Sequence, residues 1–198
     1  MQIAKIVSSR SQIIYAARVL DTLEVEQPPS PADYAFARFV AVENAGRKIV
    51  GVIADTQLIN PNYGNFGPRL SSPAETNLLF SPDYLHDQGV LINLFMLGWL
   101  EQGYGVHRTP ELVLPVHSSV VLMPAGEVES FHRDKAGRLR LGYYTQVLAV
   151  GGVLAAALLL AILDQVEKQA TLPERTRLTL LRENLAWHQT LVAFGQQR

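Results

Sequence analysis

Hydrophobic and polar positions follow two different periods along this chain. Up to residue 132 the apolar residues come in short β-branched and aromatic runs, IAKIV, SQIIYAARVL, ARFVAVEN, RKIVGVIADTQLI, ELVLPV and SSVVLM, separated by turn signals. Runs of that length and composition predict strands, so residues 1–132 read as an all-β unit. In FVAVENAGRKIVGVI, two alternating runs flank Asn44-Ala45-Gly46, and the glycine supplies the positive φ that closes a hairpin. QPPSPADY and NPNYGNFGPRLSSP read as loops, because proline removes ladder donors and glycine–proline clusters stop either regular structure. DYLHDQGVLINLFMLGWLEQ, residues 83–102, reads as a helical turn followed by a strand from about Val90 to Leu100.

Beyond His132 the period is helical. Tyr143 to Gln169 lacks proline and is rich in Ala and Leu, which predicts one long helix. Thr171-Leu172-Pro173-Glu174 carries the capping-box pattern, in which the glutamate reaches back to the free N–H groups of a helix start. Leu178, Leu181, Leu185 and Val192, spaced by three, four and seven, then predict a second helix closed by Gly195. With only Gln169 and Ala170 between them, the two helices are expected to form an antiparallel hairpin over 143–198, joined to the β unit by a basic linker over 133–142.

The run VLAVGGVLAAALLLAIL, residues 147–163, has no polar side chain. As a helix of 17 residues it would rise about 25 Å, against a hydrocarbon core of about 30 Å. The cations Arg133, Lys135, Arg138 and Arg140 on one flank and the small-residue pairs Gly151/Ala155 and Gly152/Ala156 suit a membrane anchor. The short connection to a second amphipathic helix suits burial against protein better, because that helix needs a cover for its own apolar stripe. Gly151, Gly152, Ala155, Ala156, Leu178, Leu181 and Leu185 are the expected helix-packing face.

Composition narrows the chemistry. The 198 residues include no cysteine, which excludes disulfides and thiolate metal sites and fits a reducing compartment. The N-terminal stretch shows no basic region leading into an unbroken apolar segment, so the expected location is the cytoplasm. Net charge is −1 but uneven: residues 1–132 hold 8 Lys and Arg against 13 Asp and Glu, and residues 133–198 hold 9 against 5. Nucleic-acid binding is not expected, since the acidic part would repel phosphates and neither part concentrates cations enough.

Catalytic patterns are scarce. His86, His107, His117, His132 and His188 fall at no ligand spacing, His117-Ser118-Ser119 sits in an expected strand without an elbow motif, and Asp83 and Asp87 read as solvated. No metal, cofactor or catalytic residue is expected. Two surfaces stand out as interaction candidates: the basic stretch HRDKAGRLR, which carries Arg133, Lys135, Arg138 and Arg140, and the loop NPNYGNFG, which presents Tyr63 and Phe66.

The segment from Ile3 to Asn60, with KIVSS and YAFARFVAVENAGRKIVGVIADTQLINP, resembles the HAS barrel, the N-terminal barrel of HerA-type DNA-translocating ATPases and rotary ATP synthase subunits. LFMLGWLEQ, RTPELVLPVHSSVVLMPAGEVESF and LRLGYY follow in the order of the HerA-type version. The resemblance implies a small closed β-barrel, which together with the helical hairpin expected over 143–198 makes an α+β protein. In those ATPases a phosphate-binding loop follows the barrel; here the matching place offers Gly151 and Gly152 but neither the lysine nor the hydroxyl that phosphate and Mg²⁺ need. The resulting expectation is a non-enzymatic assembly module whose barrel docks with like barrels or with an ATPase-type partner. A membrane-anchored scaffold is the alternative, and an accessory DNA-processing factor stands behind both.

Overall fold

The computed structural model describes residues 1–59 and 89–195, with side chains described through Trp187. Among the described residues, seven strands come first: β1 (Gln2–Ser9), β2 (Ile14–Val19), β3 (Phe39–Asn44), β4 (Arg47–Ile59), β5 (Gly89–Glu101), β6 (Tyr104–Val106) and β7 (Ser119–Leu122). Four described α-helices follow: α1 (Ala125–Phe131), α2 (Tyr144–Val150), α3 (Ala155–Glu167) and α4 (Leu172–Gly195). The expected α+β class is what the chain adopts.

All strand pairs are antiparallel, and they close on themselves in the order β1–β2–β5–β4–β3–β7–β1, a six-stranded barrel to which β6 adds beyond β5. Closure leaves the six strands no free edge. β4 and β5 are long enough to serve both sides of the closure, and their mutual register slips between Val50 and Gly51 and between Ile53 and Asp55. Such bulges bend a strand pair and increase its twist, which a small barrel requires.

Two cores share the central strands. Along β3, Val40 and Val42 point into the barrel with Ile3, Ile6 and Leu94, whereas Phe39 and Ala41 point outward to the helices. β5 divides the same way, with Ile92, Leu94 and Met96 inside and Phe95 and Leu97 outside. This is why these strands read as continuous apolar runs: both faces are covered. The outer layer is made by α3, whose Leu158, Leu159, Ile162 and Leu163 are at most 1% exposed. Burial of each such side chain contributes about 1.5–3 kcal/mol.

The hairpin at Asn44–Arg47 forms as expected, with Ala45 (φ 50°) and Gly46 (φ 74°) as a two-residue turn. The glutamate half of the capping box forms, the Thr171 N–H donating to Glu174 Oε2 at 2.9 Å. The strand expected near Val90 to Leu100 is β5, and the helical turn expected before it lies outside the described residues.

Four expectations are corrected. Residues 1–132 are not all-β, because α1 occupies Ala125–Phe131. ELVLPV is not a strand; between Pro110 and Pro115 it lies as an irregular loop across the barrel, and proline at both ends denies it a ladder. His117 is a turn residue at φ 66°, with β7 starting at Ser119, so His117-Ser118-Ser119 is not a strand surface. The long helix expected over Tyr143–Gln169 is broken into α2, a 3₁₀ turn over Gly152–Leu154, and α3, because Gly152 takes φ 60°, which no helix continues through. Gly152 therefore cannot form a small-residue face with Ala156 on one helix. No helix of the described residues is long and apolar enough to cross a membrane.

Candidate functional site

The loop between β6 and β7 builds the first candidate surface. Leu114 is 3% exposed and belongs to the barrel core, and its N–H donates to the buried Tyr15 hydroxyl at 3.1 Å. On either side, Gln12 Nε2 donates to the Glu111 carbonyl and Asn44 Nδ2 to the Val113 carbonyl, both at 3.4 Å. The loop is thus fixed to β2, to the β3–β4 hairpin and to the core. Against this anchoring, Leu112, Val113 and Val116 are 58%, 57% and 56% exposed. Three large apolar side chains are thus exposed to solvent within five residues.

The basic stretch is organised rather than extended. Arg133 bridges to Leu139, and Asp134 accepts the Ala136 and Arg138 N–H groups at 2.8 and 3.0 Å, closing a turn at Gly137 (φ 73°). The Arg133 guanidinium donates to Glu174, to the Gln169 carbonyl and to the Gly137 carbonyl. Arg138 pairs with Asp134 at 3.1 Å, Lys135 lies 4.9 Å from the Tyr104 ring centre, and Arg140 is exposed. Three of the four cations thus meet partners within the chain.

Burial pulls the Glu174 carboxyl upward, but the Thr171 N–H, the Arg133 guanidinium, the Thr171 hydroxyl and the Leu139 N–H outweigh it and hold the pKa down to about 2. One carboxylate caps α4 and ties it to the 133–139 turn.

Two histidines that are remote in sequence meet at the seam between barrel and helices. His132 is fully buried; its Nδ1 lies 2.7 Å from the Val128 carbonyl and its Nε2 2.7 Å from the Tyr143 hydroxyl. A carbonyl only accepts, so Nδ1 carries the proton and Nε2 accepts from Tyr143. By the same logic His107 donates from Nε2 to the Phe131 carbonyl and accepts the Gly142 N–H at Nδ1, each at 2.9 Å. Desolvation drives both pKa values down, that of His132 to about 3, so both rings are neutral. With every ring nitrogen engaged, the pair acts as a brace among Phe39, Phe131 and Tyr143.

On the helices, Ala155, Ala156, Leu178 and Leu185 are buried and Leu181 is half-buried. Gly151 is half-buried at the break, where an added Cβ would stand 2.6 Å from the Val147 carbonyl oxygen and 2.8 Å from the Ala155 Cβ, while Gly152 is exposed. Tyr63, Phe66, Asp83, His86 and Asp87 lie outside the described residues, as does the His188 side chain. Among the described residues, no three His, Asp or Glu side chains come together as a metal site. The Leu112–Val113–Val116 patch was not singled out from sequence; the signal available was the pair of prolines that keeps an apolar segment out of the sheet.

Residues 1–194 match the family model described as Domain of unknown function (DUF8166), and the chain belongs to that family. No curated protein matches the chain.

Proposed function

We propose that this chain, as a member of that family, is a non-enzymatic assembly module whose HAS-type barrel docks with like barrels or with an ATPase-type partner. The observation that carries this reading is the fixed, outward-facing Leu112–Val113–Val116 patch at the barrel. A loop that places Leu114 in the core and spends three hydrogen bonds on its own position presents its neighbours pre-organised, which lowers the ordering cost of binding. The helices already cover the outer faces of β3, β4 and β5, so a partner meets the barrel elsewhere. Among the described residues, the six strands of the closed barrel offer no edge for strand augmentation.

The test is affinity capture from native extract with the wild-type chain and with Leu112→Glu/Val116→Glu side by side. The reading expects a second copy or an ATPase-type subunit bound by the wild type and lost from the variant, with thermal stability unchanged. Recovery of the same proteins by both chains would overturn it.

A further inference from the structure

A cleft of about 220 Å³ opens where the barrel rim meets α1 and α3. Phe39, Met123, Val128 and Val166 provide an apolar lining, and Arg38 and Lys168 stand at its border. Arg133 also lines it but is committed to Glu174 and to two carbonyls. Among the described residues, the Arg38 guanidinium and the Lys168 ammonium make no hydrogen bond or salt bridge, and Glu129 is the only carboxylate in the lining.

We propose that this cleft binds a short-chain monocarboxylate, the carboxylate between Arg38 and Lys168 and the hydrocarbon tail against Phe39, Met123 and Val166. Two cations without a direct ion pair, beside one carboxylate in the lining, favour an anion even with Asp33 in the field of Arg38, and guanidinium pairs with carboxylate through two parallel hydrogen bonds. A bare inorganic anion would leave the apolar lining wet, whereas an acyl tail removes it from water. The volume falls below the range of about 300–1,000 Å³ usual for larger ligands, which suits a tail of about four to eight carbons. A cationic ligand would face repulsion from both heads. This inference does not depend on the docking reading: the cleft and the Leu112 patch share no residue.

The chain's methionines make the test specific. Met123 lines the cleft, Met96 is sealed inside the barrel and Met1 is at the exposed N-terminus. With ¹³C-methyl methionine, sodium hexanoate is expected to shift the Met123 signal saturably while Met96 and Met1 stay still. Hexanol, with the same tail and no charge, is expected to give no saturable shift. Arg38→Gln/Lys168→Gln, which breaks no direct hydrogen bond or salt bridge of the fold, is expected to weaken hexanoate at least about tenfold. An unmoved Met123 signal, equal saturation by hexanol, or undiminished hexanoate binding by the variant would each overturn the proposal.

Discussion

Tyr143 donates its hydroxyl proton to Nε2 of His132 at 2.7 Å, across the seam that joins α1 to α2. Both groups are fully buried, so neither finds water if the other is removed. Tyr143→Phe is therefore expected to cost about 1–3 kcal/mol of stability, the desolvation penalty of an orphaned acceptor. Urea unfolding at pH 7.5 measures it, and an unchanged midpoint would show that the bond carries no weight.

The same ring sets an acid limit. Its folded pKa, about 3, lies below the ordinary 6.5, so between those values the unfolded chain binds the extra proton. Stability is full above about pH 7 and declines as pH falls through 6.5 toward 3. On the order of 2 kcal/mol is expected to be lost by pH 5. Comparing urea unfolding at pH 7.5 and pH 5, in wild type and in His132→Gln, reads the effect; the variant's stability should depend less on pH over this interval.

Glu174 acts in a different window. Its folded pKa of about 2 lies below the ordinary 4.5, so its contribution is present above about pH 4.5 and is lost as pH falls toward 2. Glu174→Ala removes both a cap and the partner of Arg133, whose side chain is only 19% exposed, and is expected to cost about 1–3 kcal/mol at pH 7. Thermal denaturation of this variant beside Glu174→Gln separates the cap from the charge, with the glutamine variant retaining part of the stability.

Gly152 holds the break in the apolar run at φ 60°. An added Cβ meets nothing within 4 Å, so Gly152→Ala tests conformation alone. It is expected to destabilise the protein by about 1 kcal/mol without increasing recovery in membrane fractions. A gain in stability would mean that the run continues as one helix.

What was legible in the sequence was local. Asn44-Ala45-Gly46 announced its hairpin, and Thr171 with Glu174 announced the start of α4, because a few neighbouring side chains decide those geometries. The helix break was not legible, since Gly151 and Gly152 sit inside a run of strong helix formers and a glycine pair permits either outcome. Helix α1 is too brief to show a helical period, and in the Leu112 loop the apolar letters outweigh the prolines. The His107–His132 brace and the Arg38–Lys168 cleft join residues far apart in the chain, and only barrel closure brings them together.

The central claim concerns the face formed by Leu112, Val113 and Val116. A photo-crosslinking amino acid at position 112, in the full chain and in its own cells, tests it most directly, with position 180 as an equally exposed control on α4. A discrete adduct is expected from position 112, to a second copy of the chain or to an ATPase-type subunit, and none from position 180. No adduct from position 112, or the same adducts from both positions, would contradict it.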